Sequence, residues 1–402
     1  MKKILVINYG SKPLPDVKGG GVENLIQLYI NYINQYKKNI DMTVVSYYDL
    51  EAKKKSKEYS NINFIYIKKT LFFKIFQSIR YLINKYMNIY IGNEFIHKCR
   101  KKIIFNDYDI IISENGIDFG RYIKKYYNGK IVLHLHNDFL NSNTKNVDKI
   151  LRGYDEIWTL SKFVKDRVKE VNNKVNVKVL YNGVDLSLFN KKKYSSNGEI
   201  IRKKYGLENN EKIFIYCGRI VEEKGVYELV EAFNNVCKKY SKIKLLIIGS
   251  YNSSDEYYNK VKEISNDYVV FTNYVKHDDL PAVLSIGFCG IAPTVHLEKN
   301  YIDGNYCGVI EGFNLTVIEY LGMGIPVIIS NSGGMPELIN KQSGTIVSAN
   351  EKKIVNELEN AIYMMIDKRE NYKESDLLQR ANVFSKDNYV NTFNKYVEEL
   401  YD

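Results

Sequence analysis

What most constrains this chain is a rhythm. Short runs rich in Val, Ile and Leu recur along it, most of them separated by helix-length segments, and the series occurs twice. In the first half the runs are ILVIN (4–8), MTVVS (42–46), INFIYI (62–67), YDIIIS (108–113), KIVLHLH (130–136), EIWTL (156–160) and VKVLYNG (177–183). The second half repeats it with KIFIYCG (212–218), KLLIIGS (244–250), VVFTNYV (269–275), GIAPT (290–294) and SGTIVS (343–348). Parallel strands are buried on both faces and need crossover helices, so the alternation predicts an α/β protein with doubly wound parallel sheets. A polar stretch, FNKKKYSSNGEIIRKKYG, separates the two series, which places a linker near 190–200. Two Rossmann-like domains, 1–192 and 193–402, are therefore expected, since one core seldom grows past roughly 250–300 residues. The last segment, about 385–400, is helical with no strand after it, and packing back on the N-terminal domain is one place for it. Two such sheets facing each other leave a central cleft at the carboxyl ends of their strands, where ligands of open α/β sheets bind.

Composition narrows the class. Apolar residues at 45% and charged residues at 26% describe a globular protein and exclude a disordered or fibrous one. The five cysteines are an odd number without a CxxC pair, which argues for reduced thiols in the cytoplasm and against a disulfide framework or a zinc site. The opening MKKILVINYG has too short an apolar run for a signal peptide and reads as a first strand. No stretch approaches the roughly 18 apolar residues of a membrane span, so a soluble or at most peripheral protein is expected. The net charge of +11 is partly concentrated: from Lys68 to Lys102 nine Lys or Arg face the single acid Glu94, interleaved with aromatic and aliphatic residues. Such a stretch could lie on an anionic membrane surface, or be a solvated helical face with a buried stripe. Abundant Lys, Ile, Asn and Tyr also fit a genome biased toward A and T.

The chemistry concentrates in residues 311–337, EGFNLTVIEYLGMGIPVIISNSGGMPE. Glu311 and Glu319 stand around a turn-to-helix junction. If Asn314 or Leu315 begins a helix, its free N–H groups and dipole favour an anion in front of it. One carboxylate beside that start and a second about a turn inside suit a ligand that is part phosphate and part polyhydroxylated, as a nucleotide sugar is. After the first strand, a glycine- and proline-rich loop ends in Gly20 and Gly21 and opens an amphipathic helix; doubly wound sheets build phosphate or substrate sites on such loops, although the spacing is not GxGxxG. DYD at 107–109 spells a metal-ligating DxD, but it directly precedes a strand and reads as a turn.

At CGRIVEEKGV, residues 217–226, taken with EGFNLTVIE and GGMPE, the chain resembles the retaining glycosyltransferases of family 4, which have the two-domain GT-B fold. The matching residues are Gly218, Arg219, Lys224 and Gly225, then the segment from Glu311 to Glu319, then Gly333, Gly334, Pro336 and Glu337; Gly20, Gly21, Val22 and Glu23 match the loop after the first strand. The resemblance implies that Arg219 and Lys224 hold the donor diphosphate, for which a planar guanidinium fork and a compact ammonium are suited. It implies that backbone around Gly312, Phe313, Asn314, Leu315 and Thr316 holds phosphate and sugar hydroxyls, that Glu319 takes the ribose, and that Glu311 lies by the transferred sugar. It makes His136 of HLHND the histidine that contacts that sugar, with a buried, hydrogen-bonded histidine as the plain alternative and the better reading of His134. Asn314 departs from the pattern, replacing the second glycine of EGFGL; Asn tolerates left-handed backbone and can cap a helix, so the turn is expected to survive with less room near the sugar. Glu298 and Asp303 are rival acids in a polar insertion, without the FNLTVIE continuation.

The expectation is a cytoplasmic, metal-independent, retaining glycosyltransferase in bacterial polysaccharide or glycan synthesis. It has no cofactor and uses a nucleotide diphosphate sugar, a UDP-sugar first, with a glycan, lipid-linked or protein acceptor; nucleic acid is not a partner. The rivals are a nucleotide-sugar epimerase or phosphorylase on the same fold, the latter lacking a pyridoxal-binding lysine context here, and a coat-associated relative without activity.

Overall fold

The Val- and Ile-rich runs build two parallel sheets in the computed structural model, which describes residues 1–10, 12–69, 79, 83, 93–144, 146–251, 254–296 and 310–402. Most of the basic aromatic stretch, and Glu298 and Asp303, lie outside the described residues. The described chain divides into two units: Met1–Tyr181 together with Tyr389–Asp402, and the described residues of 182–388.

In the first unit seven strands lie in the order β3-β2-β1-β4-β5-β6-β7. They are β1 (Lys2–Asn8), β2 (Ile40–Tyr47), β3 (Ile62–Ile67), β4 (Ile110–Glu114), β5 (Lys130–Leu135), β6 (Glu156–Thr159) and β7 (Val177–Val179). All pairings are parallel, with Val6 of β1 opposite Val44 on one side and Ile112 on the other. The strand order reverses between β1 and β4, so Asn8 and Glu114, at their carboxyl ends, flank the switch point where open α/β sheets bind ligands. Helix Gly21–Tyr36 covers one face, burying Leu25, Ile26, Tyr29, Ile30 and Ile33 at helical spacing. The chain returns to this unit in the terminal helix Lys386–Glu399, whose Phe393 stacks on Tyr29 at 4.1 Å and meets the Trp158 ring edge-on at 5.5 Å. Truncating a buried ring of this kind typically costs about 3–5 kcal/mol.

The second unit repeats the plan with β8 (Lys212–Cys217), β9 (Ile243–Ile248), β10 (Val269–Asn273), β11 (Gly287–Ala292), β12 (Val327–Ser330) and β13 (Gly344–Val347), in the order β10-β9-β8-β11-β12-β13. Helices Val226–Cys237 and Glu351–Lys368 pack Leu229, Phe233, Leu358 and Met365 into a core with Phe214, Leu245 and Ile247. β11 ends at Ala292 because Pro293 has no N–H for the ladder. Here the order reverses between β8 and β11, and Cys217 and Ala292 flank the second switch point. The units part at Tyr181, ahead of the polar stretch that marked a linker. The YNGVD segment is tied into the second unit: Val184 N–H donates to Phe384 O (2.9 Å), Lys386 N–H donates to Val184 O (2.8 Å), and Lys386 pairs with Asp185 (2.8 Å). The polar stretch itself forms a 3-10 turn, Lys191–Asn197, running into helix Gly198–Lys204.

Candidate active site

At the second unit's switch point β8 ends in Cys217, and Tyr216 O–H donates to the Arg219 carbonyl (2.6 Å), fixing the following loop. A 3-10 turn, Glu222–Lys224, leads to Gly225 in left-handed conformation (φ 66°) at the start of the next helix. A Cβ on Gly225 would lie 2.0 Å from the Pro293 carbonyl oxygen, just past the end of β11. Glycine at 225 is thus a steric requirement: the turn presses on the neighbouring strand end, and Lys224 beside it lines the switch point.

Glu311 is held from the opposite side by the GGMPE tail. Its N–H donates to Ser332 Oγ (3.3 Å) and its carbonyl accepts from Gly334 N–H (2.9 Å). Gly333 has φ 54°, and a Cβ there would sit 2.2 Å from the Glu311 oxygen. The carboxylate so placed forms an ion pair with Lys224. Helix Leu315–Gly322 starts immediately afterwards, and the N–H groups of its first turn have no intrahelical acceptor. Asn314 precedes it with extended backbone (φ −122°) and no side-chain capping bond, so the tolerance of Asn for left-handed angles is not called upon. A cavity of about 280 Å³ is lined by Cys217, Gly218, Arg219, Lys224, Pro293, Thr294, Glu311 and residues 313–316, with Tyr216 and Ala292 completing its wall.

The other expected residues of this unit are near but differently engaged. Arg219 is largely exposed at the cavity edge, with Nη2 3.4 Å from Glu223 Oε1. Gly312 is half-buried between two lining residues. Glu319 is buried within the helix, with His277 Nε2 3.4 Å from its Oε1. That contact raises the His277 pKa above its ordinary value against the opposing effect of partial burial.

In the first unit Gly20 caps helix Gly21–Tyr36 with extended backbone, and no atom lies within 4 Å of where a Gly21 Cβ would be. Glu23 is buried beneath this loop and accepts from Lys12 N–H (3.2 Å). His136 follows β5, its N–H donating to Asn115 Oδ1 (2.8 Å) and its ring Nε2 lying 2.6 Å from Glu114 Oε2. Tyr29 O–H donates to Glu114 Oε1 (2.9 Å). The His134 ring packs against His136 with centroids 4.1 Å apart and planes inclined by 49°, and its Nδ1 is 3.0 Å from Glu114 Oε2, outside hydrogen-bond alignment. Burial alone would raise the Glu114 carboxyl, but the two imidazoles outweigh it and hold the group well below the usual carboxylate range. Burial, then the neighbouring His134, push His136 down to about 4 against the pull of Glu114, so its ring is neutral at pH 7. With Nε2–H donated to Glu114, His136 keeps Nδ1 as its free lone pair, an atom without a hydrogen-bond partner in the structure.

Glu114, His134 and His136 are also close enough to share an ion, with candidate atoms within 4.8 Å of one another. The 2.6 Å between Glu114 Oε2 and His136 Nε2 is a hydrogen-bond spacing, shorter than the edge of roughly 3.3 Å between tetrahedral ligands with bonds near 2.0 Å. Asp109 of the DYD segment accepts from Lys3 N–H (2.8 Å), so its carboxylate braces the start of β1.

The family model for glycosyl transferases group 1 matches residues 197–376, and that for glycosyltransferase family 4 matches residues 19–188. The chain belongs to this family. An uncharacterized glycosyltransferase of Methanocaldococcus jannaschii is 26% identical over 195 residues, 46% of this chain and 45% of that protein. The lipopolysaccharide 1,2-N-acetylglucosaminetransferase of Salmonella typhimurium is 24% identical over 250 residues, 60% of this chain and 59% of its own length. The chain thus spans about half the length of the curated relatives it matches. Among solved structures, Anabaena HepE in complex with UDP and glucose superposes with TM-score 0.71 at 16% identity, over 99% of this chain and 100% of that one. The two parallel-sheet units are those of the GT-B fold. For this family member the sequence reading missed Glu114, although an apolar run closed by an acid, IIISE, at the central strand pair was a usable signal. It also missed Tyr29, Ser332 and His277, whose parts depend on contacts between segments far apart in the chain. Among the described residues no helix is long and apolar enough to cross a membrane.

Proposed function

We propose that this chain transfers a sugar from a nucleoside diphosphate donor, a UDP-sugar first, to an acceptor hydroxyl in polysaccharide or glycan synthesis, with retention of configuration and without a metal. The observation that carries this reading is the Lys224–Glu311 pair over the second unit's switch point, beside the open N-terminus of helix Leu315–Gly322. A diphosphate fits there. The free N–H groups and dipole of the helix meet its oxygens, Lys224 gives a compact ammonium, and Arg219, exposed at the edge, can turn its fork onto the same group. Neutralising the leaving diphosphate with these two cations does the work a metal does in other transferases.

In the step we assign, the bond from the sugar's anomeric carbon to the phosphate oxygen breaks, and the acceptor oxygen bonds to that carbon on the same face. The acceptor proton passes to the leaving phosphate. Glu311 lies by the transferred sugar and Glu319 takes the ribose hydroxyls. His136 is assigned to contact with the sugar through Nδ1, and the loop of Gly20 and Gly21 is assigned to the donor, with open space at Gly21 and the Glu23 carboxylate packed against Gly20. The complex of HepE with UDP and glucose supports the donor class by analogy of fold.

Calorimetry with UDP and a donor-hydrolysis panel of nucleotide sugars test the proposal, and the anomeric configuration of the product tests retention. Glu311→Gln and Lys224→Ala should each collapse transfer in a folded protein. Absence of binding to any nucleoside diphosphate, or near-normal turnover in either variant, sinks the reading.

A further inference from the structure

A second cavity belongs to none of the machinery above. It opens at the carboxyl ends of β2 and β3, the ligand-binding end of the first sheet, with a volume of about 560 Å³. Tyr48, Tyr66 and Ile67 form its apolar wall, and among the described residues every charged one lining it is a lysine. An adjoining cavity of about 440 Å³ shares Tyr48, Ile67 and Lys68 with it. Among the described residues, seven lysines and a single acid, Asp49, line the two together. That acid is already engaged: it pairs with one of the seven, Lys18 (2.5 Å), and accepts from the first N–H groups of helix Leu50–Lys55, leaving six lysines without it.

The cations are arranged, not merely abundant. Lys98 Nζ donates to the Lys68 carbonyl (2.7 Å) while pairing with Glu94 (2.6 Å), and Lys102 Nζ donates to the Tyr66 carbonyl (2.8 Å). The backbone end of β3 therefore holds these ammoniums at the cavity instead of letting them splay into water. Lys68 lies 5.0 Å from the centre of the Tyr48 ring, and Tyr66 is fixed by donating its hydroxyl to the Ala52 carbonyl (3.0 Å). Each anchored ammonium keeps N–H groups to spare, since it has three donors. Like charges gathered in a concave site repel one another unless an anion joins them, and a tetrahedral phosphate accepts from several donors at once.

We propose that this lysine-lined pocket binds a phosphate or diphosphate group carried by the acceptor. Its assignment to the acceptor rests on the transferase reading, whereas the anion site itself does not. The group can come from a lipid headgroup or from a soluble phosphorylated glycan; both present the same oxygens.

The test uses the full chain with saturating UDP, so that the donor pocket is filled. Inorganic pyrophosphate is titrated calorimetrically at low salt into wild type and the double variant K53Q/K101Q, whose two positions are exposed and leave the fold undisturbed. In parallel, both proteins are sedimented with phosphatidylcholine vesicles, with and without phosphatidic acid. Wild type should bind pyrophosphate, or the phosphatidic acid vesicles above the neutral ones, and the double variant should bind at least about tenfold more weakly. Pyrophosphate binding without vesicle binding marks a soluble phosphate source; vesicle binding alone marks a lipid headgroup. Binding of neither probe, or equal binding by wild type and variant, overturns the site. Failure of UDP to bind at all removes the transferase reading while leaving these outcomes intact.

Discussion

Gly225→Ala tests the steric logic of the donor pocket most directly. The added methyl would sit 2.0 Å from the Pro293 carbonyl oxygen, whereas ordinary contact begins at 3.4 Å. The turn carrying Lys224 must therefore retreat from β11 by about 1 Å or more, and the alanine must also hold a left-handed backbone at φ 66°. The left-handed conformation costs about 1–2 kcal/mol for a residue with a Cβ, and the backbone shift brings the expected loss of stability to about 2–4 kcal/mol. Retreat also takes the Lys224 ammonium away from a bound diphosphate. A hydrogen bond to a charged group contributes about 1.5–3 kcal/mol, so UDP affinity should fall by about 10- to 150-fold. Gly206→Ala is the control: φ there is 67°, but nothing lies within 4 Å of the new methyl. It should lose about 1 kcal/mol of stability with UDP affinity unchanged. Urea unfolding gives the stabilities, and calorimetry on folded protein gives the affinities. A folded Gly225→Ala protein that binds UDP within twofold of wild type would falsify the placement of Lys224 on the phosphate.

The remaining expectations concern both units. Glu114→Gln removes the charge and turns one of the two acceptor oxygens into an NH2 donor, so the His136 tautomer is no longer imposed by a carboxylate. It should lower turnover by up to about 100-fold with UDP affinity unchanged; Tyr29→Phe, losing one hydrogen bond to the same carboxylate, should cost about 1 kcal/mol of stability and little turnover. A buried histidine with a folded pKa of about 4 binds its proton more readily unfolded, so stability falls as pH drops from 6.5 toward 4, by about 3 kcal/mol. The groups facing it are His134, Glu114 and, through Glu114, Tyr29 and Tyr389; the depressed Glu114 pKa acts in the same direction below about pH 4.3. Urea midpoints at pH 7 and 4.5 measure the slope, and His136→Asn should flatten it. Asn314→Gly, at an extended backbone position, should change stability by under about 1 kcal/mol and shift donor discrimination in a two-donor competition assay. Exhaustive chelation should leave turnover intact, and activity restored only by manganese or magnesium would refute metal independence.

The two parallel sheets were readable because each buried strand carries its own signal: ILVIN or KLLIIGS needs no partner to be recognised as apolar and extended. The point at Tyr181 where the two units divide was not, because it is set by pairing. Val184 joins the chain's late return at Phe384 and Lys386 through backbone bonds, and no composition shift marks them. The same contrast runs through the site. Glu311, Lys224 and the helix start at Leu315 lie inside recognisable segments. The His136–Glu114–Tyr29 chain joins three elements over 107 residues of sequence and has no local signature beyond the acid closing IIISE.

Seen through its contacts, the motif set is one mechanical assembly. Gly225 and Gly333 lie far apart in sequence, yet each is a glycine because a backbone carbonyl occupies the place of its Cβ, Pro293 O in one case and Glu311 O in the other. The first close approach sets Lys224 over the switch point, and the second sets Glu311 against it from the other side. Neither clamp has a use without the other, since an ammonium and a carboxylate meet only if both backbones are held. The pair in turn limits where charge can settle when a ligand arrives: a diphosphate takes up Lys224 donors and weakens their hold on Glu311. Under the proposed transferase function, donor binding is then expected to release the carboxylate toward the sugar that the same ligand brings. The spacing of these segments along the sequence is, physically, the condition for the Lys224–Glu311 pair.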